Sequence, residues 1–281
     1  MTFLQAMLLA ILQGVSELFP VSSLGHTVLL PALLGWHIQR SDPTFLAFVV
    51  ALHFGTALAL LVFYRRDWMR IVLGLARSLV RGRIEDADAR LGWLLVAGTM
   101  PLALAGVFLE GPVRSLFGSP ALVAAFLVVN AFVMFAGERL KRVSTLVAAR
   151  PLAKLPFSNG ALIGASQALA LLPGISRSGA SIVAGLLSDM THDDAARFSF
   201  LLATPAIFAA SVLEFPRLLA PAAHAVLLES FLGGILAGLT AYVSVAFLTR
   251  YFHTNDLRPF GWYCLTFGTV CFTLAIMKVI T

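Results

Sequence analysis

Charge is scarce in this chain. Asp, Glu, Lys and Arg make up 12% of its 281 residues, against about 25% in a soluble domain. Mean hydropathy is +0.90. Those values exclude a water-soluble globular protein and imply a membrane protein. Cysteine is almost absent. Cys264 and Cys271 are the only two, and their spacing of seven puts both on one helix face in the last apolar run. They are packing residues and form neither a disulfide framework nor a metal pair. The first apolar run lacks a basic leader and contains Glu17, so no cleaved signal peptide is expected. A net charge of +6 does not signal nucleic acid, because the arginines cluster in short loops between apolar runs, as membrane topology and anionic lipid require.

What is present is apolar sequence in long runs, at 45–64, 91–109, 121–137, 198–215, 226–249 and 260–279. Each is long enough, or nearly so, to cross a bilayer as a helix. Two further regions, 3–36 and 157–187, are each split by proline, serine and glycine, at "FPVSSLG" and "LPGISRSG". Their halves are too short to span, since a span takes about 20 apolar residues. They are expected to be re-entrant helix–loop–helix pairs.

Loop charge sets orientation. Segment 65–90 carries Arg65, Arg66, Arg70, Arg77, Arg81, Arg83 and Arg90, and segment 138–154 carries Arg139, Lys141, Arg142, Arg150 and Lys154. The connection between them, 110–120, has Arg114 alone. The positive-inside rule places the two basic segments in the cytoplasm and 110–120 outside. The first re-entrant pair then dips in from the outer face, the second from the cytoplasm, and the C-terminus lies outside. The chain is therefore expected to be all-α, one polytopic membrane domain over 1–281. It holds two inverted-topology repeats, about 1–142 and 150–281, each a re-entrant pair plus three transmembrane helices. Gln13, Ser22 and Gly25 share their spacing with Gln167, Ser176 and Gly179, at the two broken segments. Residues 67–83 read as an amphipathic helix on the cytoplasmic surface. Gly233, Gly234 and Gly238 form a small-residue stripe that permits close helix contact, within the chain or in a homodimer.

Ionisable groups at membrane depth are expensive and mark sites. Gln13 and Glu17 are i, i+4 and share one helix face. Pro20 ends that half-helix, Ser22 or Ser23 caps the next, and His26 follows one turn on. The plain structural alternative is a cap with a buried Glu17–His26 pair. The second loop offers Ser176, Arg177, Ser178 and Ser181, and the plain role for Arg177 is counter-ion to Glu17. Inverted repeats bring the two loops together near the midplane. Two helix N-termini and Arg177 then form a site for an anion with two phosphates. Glu17 and His26 beside it supply base and acid, and Ser23 a nucleophile. Proximity to Glu17 favours a charged, non-attacking His26. Ser23 is therefore preferred as the attacking group, while His26 or a water molecule stays open.

The stretches "QGVSELFPVSSLGH" and "LLPGISRSGAS" resemble the two signature motifs of the undecaprenyl-diphosphate phosphatases of the bacitracin-resistance type. So do "FGTALALLVFYRRDW", "ARFSFLLATPAIFAAS" and "RPFGWY". The resemblance implies an integral enzyme of the bacterial inner membrane. Such an enzyme removes the terminal phosphate of a polyprenyl diphosphate at the outer face, recycles the lipid carrier of cell-wall synthesis, and needs a divalent cation such as Mg2+ or Ca2+. It implies Arg177 as phosphate binder, Glu17 as base or metal ligand, and Ser23 or His26 as attacking group. Gln13, Ser22, Gly25, Ser176, Ser178 and Gly179 fall on motif positions around the phosphate. Leu24, Gln13, His53 and Cys264 depart from the family's usual Ser or Thr, Glu, Gln and Arg. The competing function is transport or flipping of a polyprenyl phosphate, for which an anion site suffices and a nucleophile with a base is superfluous. A mere scaffold would need no polar cluster at depth.

Overall fold

The computed structural model describes residues 1–36, 38–39, 42–114, 119–143 and 151–280. Arg150 of the basic 138–154 segment lies outside the described residues, as do 115–118 and 37, 40 and 41 of the two outer connections.

Each apolar run becomes a helix whose ends are set by local chemistry. The first broken region gives α1 (Phe3–Ser16) and α2 (Ser23–Leu33). A long helix α3 (Pro43–Phe63) starts where Asp42 accepts from the Thr44 amide, with Pro43 at the first helical position, where a missing N–H costs nothing. It runs into α4 (Arg65–Arg81), which stops at Gly82 in the left-handed conformation at φ 65°, a glycine C-cap. Then follow α5 (Ala87–Arg114) and α6 (Pro120–Val143). The second broken region gives α7 (Phe157–Ser166), a 3-10 turn (Gln167–Leu171) and α8 (Arg177–Leu187). The chain ends with α9 (His192–Glu214), the short α10 (Pro216–Leu219), α11 (Leu227–Tyr251) and α12 (Arg258–Ile276). Among the described residues the regular elements are all helices, and six are long and apolar enough to cross a membrane. The protein is an all-α polytopic membrane protein, as the runs predict.

The order short, short, long, long, long occurs twice once α4 and α10 are set aside. The half-helices exchange partners: α1 packs on α11 and α7 on α5. Glycines make this possible. A Cβ on Gly14 would lie 2.3 Å from the Ala237 carbonyl oxygen of α11, and one on Gly164 would lie 2.0 Å from that of Gly98 in α5. The stripe at Gly233, Gly234 and Gly238 is used within the chain, against Phe48, Ala51 and Gly55 of α3.

The amphipathic helix expected at 67–83 is α4, and it does more than float on the surface. Its buried residues Ile71, Gly74 and Ser78 face α5, where a Cβ on Gly74 would meet the Ala89 nitrogen at 2.6 Å. Asp67 accepts from Arg197 of α9 at 2.6 Å. Asp86 caps α5 by accepting from Ala89 N. That bond, with Arg77 beside it, holds the Asp86 carboxyl below its ordinary pKa. Met69, Val72, Leu73, Leu79 and Val80 remain exposed, an apolar surface suited to lipid.

Spans α3 and α11 approach closely at Gly55, whose added Cβ would sit 2.0 Å from the Gly234 carbonyl oxygen. Gly55→Leu should wedge α3 from α11 at a cost of about 1–3 kcal/mol, seen as a midpoint lower by roughly 3 °C or more in a detergent melt. A melt matching the parent would mean that the two helices do not depend on this contact.

Candidate active site

The two interrupted regions meet in the core. Glu17 terminates α1, its N–H still bonded to Gln13 O. Four residues of turn and a strained Ser22, at φ 69° and ψ 99°, lead into α2. The Ser22 hydroxyl caps α2 by accepting from Gly25 N at 3.2 Å. In the second loop Ser176 does the same for α8, accepting from Gly179 N at 3.2 Å. The contact between the loops is reciprocal. A Cβ on Gly25 would touch Gly174 Cα at 3.3 Å, and one on Gly179 would touch Pro20 Cβ at 3.4 Å. Gly174 itself has φ 114° and approaches the Val123 carbonyl so closely that a Cβ would lie 2.4 Å from it, so only glycine fits.

One residue joins both loops to the span behind them. Asn130, fully buried in α6, donates from Nδ2 to Pro20 O at 3.0 Å and accepts on Oδ1 from Ser176 N at 3.0 Å. Ser178 adds a bond from its hydroxyl to Phe19 O at 3.1 Å. Irregular backbone at membrane depth must be satisfied by protein, and these bonds do that.

Within this frame the polar side chains converge on Glu17. Ser23 donates from Oγ to Glu17 Oε2 at 2.6 Å. Gln13 donates from Nε2 to the same oxygen at 3.0 Å. Arg177 donates from one guanidinium nitrogen to Oε1 at 3.1 Å, while its Nη1 is buried without a partner among the described residues. Glu17, Ser22, Ser23, Ser176 and Arg177 form the polar floor of a cavity of about 420 Å³. Its walls are apolar, with Leu46, Val49 and Val50 from α3, Leu102 from α5, and Ala206, Ile207 and Ala210 from α9. Gln13, Gly25, Ser178 and Gly179 do not line it and act from behind.

His26 is not where the spacing predicts. It makes no pair with Glu17 and does not line the cavity. Its Nδ1 faces Ser22 O at 2.8 Å, so that nitrogen carries a proton. Its Nε2 meets the Tyr263 hydroxyl at 2.7 Å, and the ring lies parallel to Phe267 with centroids 5.2 Å apart. The lone pair needed for attack is occupied. The cause is the break at 17–22, across which helical periodicity does not carry. The imidazole beside Glu17 is His53 of α3, with Nε2 3.7 Å from Oε2 and Nδ1 bonded to Val49 O at 2.9 Å. A histidine inside the run 45–64 was a visible signal, but its partner was not. Asn130 was likewise a lone amide in an apolar run. Cavity residues Gln167, Ser211 and Glu214 were not singled out for chemistry.

An acid beside a serine, with a cation on its far oxygen and two capped helix starts on the same floor, joins the two sequence motifs into one site. The profile of the BacA family, described as bacitracin resistance protein BacA, matches residues 6–270. The chain belongs to the BacA family. It is similar to the undecaprenyl-diphosphatase of Mycobacterium avium, with 47% identity over 95% of each chain. It is similar to undecaprenyl-diphosphatase 2 of Chromobacterium violaceum, with 48% identity over 96% of this chain and 98% of that protein. It also resembles the undecaprenyl-diphosphatase of Acidiphilium cryptum, with 47% identity over 98% of both. In this BacA-family chain both signature stretches lie at the meeting of the loops, and Cys264, at a departure from the usual pattern, is buried against Asn130 and away from the cavity.

Asn130→Ala should strip two buried backbone groups of their partners, a loss of about 2–4 kcal/mol on the scale for single unsatisfied groups. It should also loosen Ser23 against Arg177, with turnover down about 10²-fold, since small misplacements cost that much. Parent-like melting and turnover would show that the loops hold their places without it.

Proposed function

We propose that the protein hydrolyses a polyprenyl diphosphate, undecaprenyl diphosphate in the first instance, to the monophosphate and inorganic phosphate. It thereby recycles the lipid carrier of cell-wall synthesis and confers bacitracin resistance. The observation that carries this reading is the 2.6 Å bond from Ser23 to a carboxylate whose other oxygen holds Arg177. A serine is a poor nucleophile until a base takes its proton, and Glu17 is in contact to do so. Ser23 Oγ attacks the distal phosphorus as its proton passes to Glu17, the bond to the bridging oxygen breaks, and the lipid monophosphate leaves. Water then hydrolyses the phosphoserine. Arg177 and the positive ends of α2 and α8, whose first residues line the cavity, would stabilise the charge that develops on the phosphoryl oxygens. His26 serves this scheme by holding the Ser22 carbonyl, a positioning role in place of the acid role read from spacing.

The cation belongs to the proposal too. Among the described residues no three His, Cys, Asp or Glu side chains gather to cage an ion. Mg2+ commonly binds through one or two carboxylates together with substrate phosphates, and Glu17 with the diphosphate fits that pattern. When bound it would neutralise phosphate charge.

The orientation drawn from loop charge puts the start of α3 and the end of α9 outside. Cavity residues run from Leu46 down to His53 on α3 and from Glu214 to Ala206 on α9. The polar floor then lies about 15 Å below the outer end, taken from helix rise, near mid-bilayer. This supports a site in the bacterial inner membrane that opens to the outer face. A carrier or flippase would need the anion site but no serine on a carboxylate.

Purified protein in detergent, supplied with polyprenyl diphosphate with and without Mg2+, should release phosphate. Ser23→Ala and Glu17→Gln should each lose about 10²-fold or more. Arg177→Lys should lose most activity, because the charge remains but the fork does not. Phosphate release by Ser23→Ala at the parent rate would remove Ser23 from the chemistry, and an acid-labile phosphoenzyme lost in His26→Ala would put His26 in its place. Topology is checked separately, by labelling single cysteines in a background free of Cys264 and Cys271. Residue 35 should react from outside and residue 83 should not. The reverse pattern would turn the cavity toward the cytoplasm.

A further inference from the structure

Gln167 is fully buried at the junction of α7 and its 3-10 turn. Neither its Nε2 nor its Oε1 has a partner among the described residues, yet it lines the cavity with Glu17, Ser23 and Arg177. Two other cavity atoms share that condition, Arg177 Nη1 and Ser211 Oγ. Buried polar groups in native proteins are almost always bonded, and exceptions call for an explanation such as a missing ligand or water.

The internal repeat supplies one. A constant offset carries Gln13, Ser22, Ser23 and Gly25 onto Gln167, Ser176, Arg177 and Gly179. Four residues after Gln13 stands Glu17, which takes the Gln13 amide proton at 3.0 Å. Four residues after Gln167 stands Leu171, which accepts nothing. The second amide therefore has no acceptor of its own among the described residues.

We propose that Gln167 and Ser211 form a second phosphate pocket, which holds the phosphate that stays on the lipid while Arg177 and Ser23 engage the distal one. This rests on the phosphatase reading. An amide N–H and a hydroxyl are neutral donors. They grip the retained phosphate without the charge that would hold back the leaving monophosphate. Together with Arg177 they make the cavity a site for two linked phosphates, and Gln167 sets the preference for a diphosphate over a monophosphate.

The test compares Gln167→Leu, Gln167→Glu and Ser211→Ala with the parent, by phosphate release and by calorimetric binding of two probes. One probe is a methylene-bridged short-chain prenyl diphosphate and the other the matching prenyl monophosphate. Gln167→Leu should weaken the diphosphate probe and raise KM about tenfold, the size of one hydrogen bond to a charged group. Its kcat should stay within about threefold, its monophosphate affinity should be nearly unchanged, and its melting midpoint should not fall, because an unpartnered amide gives way to an apolar side chain of similar size. Gln167→Glu should weaken the diphosphate further by charge repulsion, and Ser211→Ala should move it in the same direction as Gln167→Leu. Unchanged diphosphate affinity in Gln167→Leu and Ser211→Ala overturns the pocket. Equal weakening of both probes, or a fall in affinity only alongside a lowered midpoint, overturns it as well. If Gln167→Leu does not fold, Ser211→Ala and Gln167→Glu decide by the same readings. If the parent binds the diphosphate probe but releases no phosphate, the pocket is judged on binding alone and the phosphatase reading falls by itself. A parent that binds neither probe overturns both.

Discussion

Arg177 and Glu17 stand far apart in sequence and 3.1 Å apart in the core, and the site depends on that pair. Either charge alone at membrane depth would be costly, and pairing makes each tolerable without making the pair a net source of stability. The pair is also incomplete. One end of the guanidinium holds Glu17 Oε1, and the other end, Nη1, is unbound. In the proposed reaction an arriving phosphate would offer Arg177 a second acceptor and would leave the charge on Glu17 less compensated as the Ser23 proton moves. A tighter, bidentate pair would be a better bridge between the loops but would leave Arg177 no free end for an anion.

Such a pair needs a rigid setting, because the loops that carry it are irregular backbone. Asn130 supplies one donor to the first loop and one acceptor to the second, so the two half-helix starts share a reference point on α6. Ser22 is held at positive φ, a conformation that costs about 1–3 kcal/mol and survives only where its surroundings enforce it. Its carbonyl is fixed by His26 and its hydroxyl by Gly25. The strain turns the next residue, Ser23, toward Glu17. Ser23 and Arg177 follow their N-cap serines at equivalent positions, so equivalent places after the two caps hold a hydroxyl and a cation. Two half-helix starts with matching caps face one cavity, and they differ in the residue that follows each cap.

Sequence patterning reached the helices because hydropathy and caps are local. The run at 45–64 became α3 within two residues and that at 198–215 became α9, which starts six residues earlier, and of the two cap candidates Ser22 and Ser23 the cap is Ser22. It reached Glu17, Ser23 and Arg177 because polar groups in apolar sequence stand out. It failed at His26, where helical spacing was extended across a stretch that is not helical, and it could not bring His53 or Asn130 to the loops, since those meetings are tertiary. Gln167 was visible as a repeat marker. Its importance lies in the absence of a partner, which spacing shows only when Leu171 is set against Glu17.

The walls of the cavity bear on the choice between hydrolysis and transport. Above the polar floor, α3, α5 and α9 present Leu46, Val49, Val50, Leu102, Ile207 and Ala210, so an anionic head on an apolar tail matches floor and wall together. On the other side of the floor, α8 is buried along most of its length, from Ser178 to Leu186. There Ile182, Val183 and Leu186 join Val123, Leu127 and Met134 of α6 in the main core. Passing a diphosphate beyond Arg177 would mean opening that packed layer and desolvating the head group on the far side, where none of these side chains would receive it. That packed layer suits the proposed reaction, in which a lipid would enter and leave by one face. Alternating access would require α8 to part from α6, and with it the Asn130 bond to Ser176 that holds Arg177 in place. The bond that fixes the proposed site therefore opposes passage through the membrane.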